Sequence, residues 1–282
     1  MPAEVPNHTA VRVALWRALH ALVDPPPHVH DDRLGLALVA PSDDWRARGD
    51  MDPARMSRSR ASIVARARFV EDELEARLGQ GVDQYVLLGA GLDTFALRRT
   101  DLALRVRVFE VDHPDTVAWK RGRLAELGYG VPAHLRLVSV DFEAGDEWLD
   151  PLAHAGFDRS RPAVVGSLGV AMYLSREANL ATLRQVMSLA TGTTIVLSFL
   201  LPFDLLDPEE RPGLEAAARN AAARGTPFLG FFTPDEAVAL AHEAGFREVR
   251  HVPAAELGAR YFAGRTDGLR PGSGEDLLVA TV

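Results

Sequence analysis

Short apolar runs alternate with helical patterns along most of the chain. After residue 80 the runs are continuous stretches of Val, Leu, Ile and Phe, which is typical of strands covered on both faces of a parallel sheet. Patterns with the spacing of an amphipathic helix separate these runs. The order predicts a doubly wound, mostly parallel α/β sheet with helices on both faces. The predicted strands are Tyr85–Leu88, Val106–Val111, Leu135–Val140, Ala163–Leu168, Thr193–Leu200 and Leu277–Val282.

Helices are predicted before the first strand and between the later ones. The strongest pattern runs from Ser57 to Leu78, where a glycine follows. The helices between strands are predicted near Pro114–Leu127, Ser175–Leu189 and Pro234–Ala244. The pattern contains no internal repeat.

Two further segments are predicted outside the regular alternation. Residues 1–56 form a helical cap, with Thr9 as a helix N-cap, and residues 57–282 form the main domain. A stretch rich in Pro and Gly near 201–232 is predicted to be an insertion or lid. Its aromatic residues indicate either a cover over an aromatic or acyl substrate or ordinary core packing; they are Phe228, Phe231 and Phe232.

Composition excludes several classes of function. The chain of 282 residues has no cysteine, which excludes disulfides, thiolate metal sites and a cysteine nucleophile. Its net charge of −8 argues against a nucleic-acid partner, which would need a basic face. No apolar run approaches the roughly 20 residues of a membrane span, and no signal peptide is recognisable. We therefore expect a cytoplasmic protein with neither a membrane nor a nucleic-acid partner. Its oligomeric state does not follow from the sequence.

The sharpest local motif is a glycine loop after the first predicted strand. Gly89 and Gly91 stand where a strand passes into a helix, the usual ligand end of an open α/β sheet. A tight turn that requires glycine explains the same residues. Thr94 stands where a dinucleotide-binding loop has its third glycine, which disfavours a pyrophosphate and a nicotinamide-dependent oxidoreductase.

Acidic residues end the next two predicted strands. Glu110 and Asp112 are placed to accept hydrogen bonds from two ribose hydroxyls, although capping of the following helix is an alternative. Asp141 is placed to accept from an adenine amino group, and Phe142 to cover the ring; a solvated strand end is the alternative. Together these strand ends indicate an adenosyl ligand without phosphates.

With these motifs the chain resembles the bacterial leucine carboxyl methyltransferase-like family of class I S-adenosylmethionine-dependent methyltransferases. The resemblance covers nearly the whole chain and implies a seven-stranded sheet whose last strand is antiparallel. The matching segments are LLGAGLDTFALRR (87–99), RVFEVDHPDTVAWKR (107–121), VSVDFE (138–143), GVAMYLSREANLATLRQV (169–186) and LGARYFAGRTDGLRP (257–271).

The resemblance implies roles for individual residues toward S-adenosylmethionine, whose product is S-adenosylhomocysteine. Arg66, or as second choice Arg68, holds the carboxylate of the cofactor, for which a guanidinium is suited by its parallel donors. The remaining implied contacts are Gly89 and Gly91 with the methionine part, Asp112 and Glu110 with the ribose, and Asp141 and Phe142 with the adenine. Met172, Tyr173, Arg260 and Tyr261 are expected to line the acceptor pocket.

The chain departs from the family pattern in the methionine pocket. Ser167 and Leu168 stand where the family has Trp and the Glu that receives the cofactor's ammonium. Phe95 stands where the family has an arginine. We expect an O-methyltransferase for a small-molecule carboxylate or hydroxyl in secondary metabolism. The alternative is a protein of this fold that has lost methyl transfer and catalyses a cyclisation or rearrangement, or only binds a ligand.

No metal site or hydrolase motif is predicted. The segment from His28 to Asp32 contains metal-ligand residue types, but it follows three prolines and lacks a helical frame. We expect it to be a solvated loop. The chain contains neither a Gly-x-Ser-x-Gly elbow nor a His-Glu-x-x-His motif.

Overall fold

A single mixed sheet forms the centre of the computed structural model, which describes residues 8–142 and 147–282. Its strands are β1 (Gln84–Leu88), β2 (Arg107–Asp112), β3 (Leu135–Ser139), β4 (Val164–Ser167), β5 (Thr194–Leu200), β6 (Glu248–Val252) and β7 (Glu275–Thr281). They lie in the order β3-β2-β1-β4-β5-β7-β6. β1 to β5 pair in parallel, whereas β7 is antiparallel to both β5 and β6.

This topology confirms the predicted fold class. The chain order reverses between the neighbours β1 and β4, so a crevice opens at their carboxyl ends, where open α/β sheets bind ligands. The six strands predicted from apolar runs are present. The pattern missed β6, because this edge strand alternates between exposed and half-buried residues before its buried end at Val252.

Helices cover the sheet and extend beyond it at the amino terminus. They are α1 (His8–Val23), α2 (Leu34–Val39), α3 (Ser57–Leu78), α4 (Phe95–Arg98), α5 (Thr100–Ala103), α6 (Pro114–Glu126), α7 (Leu149–His154), α8 (Arg176–Met187), α9 (Arg211–Ala223), α10 (Pro234–Ala244) and α11 (Ala254–Tyr261). α3 has the predicted bounds. Thr9 lies inside α1, so its predicted role as the N-cap is wrong.

The core has one apolar layer on each face of the sheet. In β1, Val86 and Leu88 point into one layer, while Tyr85 and Leu87 point into the other. This alternation follows from the strand period of two, with both faces buried. α3 packs in the second layer through Phe69. The two layers hold the strand ends in fixed positions.

The amino-terminal segment contains a buried ion pair and contacts the main domain through a buried histidine. Asp32 is fully buried and pairs with Arg17 of α1, within the same segment, at 2.7 Å. His30 is also buried, with Nε2 at 3.2 Å from Glu71 of α3. The expectation of a solvated loop is therefore wrong for these two residues. Each is buried because a polar partner is buried with it, the Arg17 guanidinium for Asp32 and the Glu71 carboxylate for His30. Residues 1–7 of the predicted cap lie outside the described residues.

The segment predicted as an insertion follows β5 and returns to it. It contains α9, which has no buried residue. The chain comes back to the sheet where the amide of Phe232 donates to the carbonyl of Leu200 at 3.0 Å. Its division from the main domain stays a prediction. Within the described parts of the chain, no helix is both long and apolar enough to cross a membrane.

Candidate functional site

The glycine loop lies at the carboxyl end of β1 and requires both glycines. Gly89 has φ of +64° and Gly91 has φ of +54°, in the left-handed region that side chains disfavour. A Cβ on Gly89 would lie 2.4 Å from Cγ2 of Val170 in the loop after β4. The two loops are thus in direct contact at the crevice. A Cβ on Gly91 would lie 3.3 Å from Cβ of Ala10, so α1 covers the glycine loop from outside.

Asp112 is placed to serve both the loop and a ligand. Its Oδ2 accepts a hydrogen bond from the Gly91 amide at 2.6 Å, and its Oδ1 accepts from the His113 amide at 2.8 Å. An ionised carboxylate has about four acceptor positions, so both oxygens retain capacity for hydroxyl donors. The residue is half-buried. The capping alternative is wrong for Asp112, because the N-cap of α6 is His113, whose Nδ1 accepts from the Asp115 amide at 3.3 Å.

Glu110 has a different environment from its neighbour. It is 2% exposed, and its carboxylate forms an ion pair with Lys120 of α6, the only lysine in the sequence. Burial raises the pKa of Glu110 to about 7, although Lys120 opposes this shift. Lys120 also donates to the carbonyl of Asp93 at 2.6 Å. Through this hydrogen bond the pair helps to hold the glycine loop in place, a role that the sequence did not predict. It also means that the Glu110 carboxylate is bound by Lys120 rather than left for a ribose.

The end of β3 lies beside the end of β2. The amide of Val140 donates to the carbonyl of Asp112 at 2.9 Å, which brings Asp141 to the same edge. Oδ2 of Asp141 lies 3.8 Å from Nε2 of His113. Asp141 and Phe142 are half-buried, and the ring of Phe142 packs against the first apolar layer. The structure thus brings the glycine loop and the two acidic strand ends together, as the sequence predicts. Glu143 of the VSVDFE motif lies outside the described residues.

The carboxyl end of β4 forms the opposite wall of the crevice. Ser167 is a buried strand residue paired with Leu88 of β1. Leu168 is half-buried, and its side chain packs against the second apolar layer. As a hydrocarbon, this side chain cannot accept a hydrogen bond from a ligand. The next residue, Gly169, has φ of +74°, and its amide donates to Ser198 at 2.8 Å.

The two candidate arginines of α3 have different surroundings. Arg66 is buried, and one terminal nitrogen of its guanidinium lies 2.6 Å from the position that a Cβ on Gly169 would take. Its other terminal nitrogen forms a buried ion pair with Glu275, the first residue of β7. Arg68 instead pairs with Asp72 at 2.6 Å along α3, and its side chain is 42% exposed. Of the two, only Arg66 contacts the loop after β4.

Aromatic side chains cluster after this loop, where the Tyr173 amide donates to the carbonyl of Val170 at 2.9 Å. Tyr173 lies in a short 3₁₀ turn, and the backbone of Gly230 packs so closely that a Cβ would lie 2.4 Å from the carbonyl oxygen of Ala171. Met172 is buried, and its carbonyl accepts from the Leu229 amide at 2.7 Å. Four half-buried rings form what we call the aromatic wall, with centroids 5.4, 6.3 and 5.0 Å apart in the order Tyr173, Phe228, Phe231 and Phe203.

Arg260 and Tyr261 are held elsewhere. The hydroxyl of Tyr261 donates to Asp72 at 2.7 Å, and Arg260 pairs with the same carboxylate at 3.0 Å. Burial and the hydrogen bond to Asp72 raise the pKa of Tyr261 well above its usual value. These contacts attach α11 to α3 rather than to the loop that carries Tyr173. The structure therefore does not bring these two residues together with Met172 and Tyr173.

Phe95 occupies the core rather than the crevice. Its ring lies 4.9 Å from that of Tyr85, and it is 1% exposed. The cation that the family has at this position is thus replaced by an apolar packing contact. Within the described residues, no group of three His, Asp or Glu side chains has the spacing of a metal site.

The donors and acceptors of the crevice fit S-adenosylmethionine. Asp112 and Asp141 offer carboxylate oxygens for ribose hydroxyls and an adenine amino group, and Arg66 offers a guanidinium for a carboxylate. Gly89 and Gly169 allow Val170 and the Arg66 guanidinium to approach the backbone closely where the two loops meet. Two positions do not fit the pattern that the resemblance implies: Leu168 cannot accept a hydrogen bond, and Phe95 carries no cation.

Solved structures support the fold independently. A methyltransferase from Thermobifida fusca superposes with a TM-score of 0.62 at 20% identity, covering 98% of this chain and 94% of that one. A DUF574 family protein from Streptomyces avermitilis superposes with a TM-score of 0.57 at 20% identity, covering 98% and 97%. At this identity the likeness concerns the fold alone.

Sequence comparisons identify the family. The chain is 33% identical over 207 residues to YktD of Bacillus subtilis, a candidate S-adenosyl-L-methionine-dependent methyltransferase, covering 73% of this chain and 67% of YktD. A similarly named protein from Mycolicibacterium smegmatis is 32% identical over 201 residues, covering 71% of this chain and 62% of that protein. The family model of leucine carboxyl methyltransferase matches residues 10–187, more than half of the chain. The chain therefore belongs to the leucine carboxyl methyltransferase family of S-adenosylmethionine-dependent methyltransferases.

Proposed function

We propose that this protein transfers the methyl group of S-adenosylmethionine to an oxygen of a small molecule with an apolar, aromatic or acyl body. The favoured acceptor is a carboxylate, and a hydroxyl is the alternative. The observation that carries the proposal is the aromatic wall, which borders the loop Gly169–Val170 at the methionine end of the crevice. We also propose a role in secondary metabolism, which the family resemblance supports.

The proposed cofactor site is divided between the strand ends. Asp112 holds the ribose, while Asp141 and Phe142 hold the adenine at the end of β3. Glu110 is assigned a supporting role, because Lys120 already engages its buried carboxylate. Arg66 holds the carboxylate of the cofactor, and its contact with Gly169 supports this choice over Arg68.

The chemistry requires alignment more than acid–base catalysis. S-adenosylmethionine supplies an electrophilic methyl group when it is bound. A carboxylate acceptor is ionised at neutral pH and needs no proton removal. The aromatic wall offers no imidazole or carboxylate, and Tyr173 carries its only hydroxyl, which favours a carboxylate acceptor over a phenol. The rings exclude water and orient the acceptor, so proximity and desolvation provide the rate enhancement.

Methyl transfer to a panel of acceptors tests the proposal. Purified protein is incubated with S-adenosylmethionine and matched aromatic carboxylic acids, aliphatic acids and phenols, and products are identified by mass spectrometry. We expect methyl esters of apolar acids. Phe228→Ala should raise KM for the acceptor by about tenfold, since a buried aromatic contact contributes roughly 1–2 kcal/mol. Leu104→Ala, at an exposed position after α5, is the matched control. A protein that binds the cofactor but methylates none of these oxygens would contradict the proposal and favour the non-methylating alternative.

A further inference from the structure

Leu168 stands at the end of β4, where the family resemblance implies a glutamate for the ammonium of the cofactor. Leu168 has no acceptor atom, and its side chain packs against the second apolar layer. An ammonium taken from water into this half-buried crevice without an acceptor would lose about 1.5–3 kcal/mol of charged hydrogen bonding. A pocket that binds S-adenosylmethionine therefore needs an acceptor from another element.

One buried carboxylate of the described residues lies within this region. Glu275 pairs with Arg66, and the two side chains are 11% and 9% exposed. The guanidinium of Arg66 in turn lies against Gly169, the residue that follows Leu168. Gly89, Val170, Gly169, Arg66 and Glu275 thus form a continuous line of contacts from the glycine loop to the start of β7.

We propose that Glu275 accepts the ammonium of S-adenosylmethionine. This inference rests on the proposed function, because it assumes that the amino-acid end of the cofactor lies against Arg66. The pair Arg66 and Glu275 matches the two charges of that end, a carboxylate and an ammonium.

Arg66 is able to serve both carboxylates at once. A guanidinium has five N–H donors in one plane. One terminal nitrogen of Arg66 binds Glu275, while the other lies 2.6 Å from the position that a Cβ on Gly169 would take. The carboxylate of the cofactor and that of Glu275 can therefore share the cation from different sides. Glu275 retains acceptor positions for the ammonium, since one of its oxygens forms the pair with Arg66.

Glu275 is also held in a fixed position. It pairs with Leu200 across β5 and β7, and the preceding Gly274 accepts a hydrogen bond from the Leu201 amide at 3.0 Å. The loop before it is attached to α3, where the Gly272 amide donates to Ser62 at 3.0 Å. The two elements that position Glu275 are thus the sheet and the helix that carries Arg66. Such preorganisation lowers the entropic cost of binding.

A cycle of two proteins and two ligands tests the assignment by calorimetry. The wild-type protein and Glu275→Gln are each titrated with S-adenosylhomocysteine and with its deaminated analogue, which lacks the ammonium. We expect the wild type to bind S-adenosylhomocysteine at least tenfold more tightly than the analogue, and Glu275→Gln to lose most of this preference. Glu248→Gln, an exposed first residue of β6, is the matched control and should keep the preference.

Each result of the cycle has a distinct meaning. If Glu275→Gln does not fold, the comparison of the two ligands on the wild type decides: an unchanged affinity without the ammonium overturns the assignment. Equal or tighter binding of S-adenosylhomocysteine by Glu275→Gln also overturns it, because Glu275 would then only occupy Arg66 in competition with the ligand. Failure of the wild type to bind S-adenosylhomocysteine contradicts the proposed function and this inference with it. Binding without any preference contradicts the inference alone.

Discussion

Arg17 donates a hydrogen bond of 2.6 Å to the carbonyl of Leu92, which joins α1 to the glycine loop. The same side chain pairs with Asp32, and Ala10 of α1 lies over Gly91. The amino-terminal segment is therefore part of the wall of the crevice. We therefore expect these contacts to matter for cofactor binding as well as for stability, because α1 covers the glycine loop.

Removing Arg17 should destabilise the protein strongly. Arg17→Met leaves Asp32 buried without its cation, which costs about 3–5 kcal/mol. The matched control is Arg33→Met, whose side chain is 64% exposed and pairs with the exposed Asp31, so the expected change is below about 1 kcal/mol. Urea unfolding measures both. Equal losses in the two variants would contradict the importance assigned to the buried pair.

Stability should fall in acid because of two buried carboxylates. Burial raises the pKa of Asp32 and Glu71, but Arg17 acts on the first and His30 with Arg98 on the second, and each pKa is lowered to about 2. The unfolded chain, with carboxyl pKa values near 4, takes up protons first as the pH falls. The stabilisation is complete above about pH 5 and is lost as the pH falls toward 2, by on the order of 2 kcal/mol for each group. Urea unfolding at a series of pH values measures this loss. A free energy of unfolding that stays constant as the pH falls from about 5 toward 2 would contradict the prediction.

Lys120 should contribute most to the stability of the protein at alkaline pH. Lys120→Met leaves Glu110 buried without its cation, and burial already raises the pKa of Glu110 to about 7. Lys120 lowers this pKa, so in its absence the carboxyl keeps its proton to higher pH. Below about pH 7 Glu110 is neutral with or without Lys120, whereas above it only the wild type stabilises the ionised carboxylate with a cation. We expect a loss of about 3–5 kcal/mol at alkaline pH and a clearly smaller one in mild acid. Urea unfolding at both pH values measures this, and equal losses would argue against a buried charge on Glu110.

The contact between the two loops predicts a steric effect at Gly89. Gly89→Ala combines a left-handed φ with a clash against Val170. Gly128→Ala is the matched control, because Gly128 has φ of +77° and no atom within 4 Å of a Cβ. The control measures backbone strain alone, about 1–2 kcal/mol. We expect Gly89→Ala to lose more stability and to weaken S-adenosylhomocysteine binding at least tenfold. Equal effects of the two substitutions would show that the loops do not meet as described.

The sheet could be predicted because its strands are apolar on both faces. The bounds of α3 could be predicted from the helical spacing of its apolar residues and the glycine that follows it. The position of Asp141 beside Asp112 could be predicted because parallel strands end at one edge of a sheet. The edge strand β6 was not predicted, because only one of its faces is partly covered. Its alternating pattern in a polar segment resembles an exposed loop.

The ion pairs of the site could not be predicted from sequence spacing. Lys120 stands within a motif that was recognised, but its partner Glu110 becomes evident only once α6 packs on β2. Glu275 lies 209 positions from Arg66, and no motif links them. Arg260 and Tyr261 were expected in the acceptor pocket, but both bind Asp72 of α3, which is far from them in the sequence. Long-range partners of charged groups depend on tertiary packing, which single-sequence patterns do not contain.

Binding of S-adenosylhomocysteine to Asp112→Asn is the most direct test of the strand-end site. This substitution keeps the shape of the side chain while removing the charge and half of its acceptor capacity. Calorimetric titration should give a dissociation constant at least tenfold higher than that of the wild type. Asp115→Asn, three residues further on at a 71% exposed side chain, should leave it unchanged. Equal affinities for the wild type and Asp112→Asn would contradict the placement of the ribose at the end of β2.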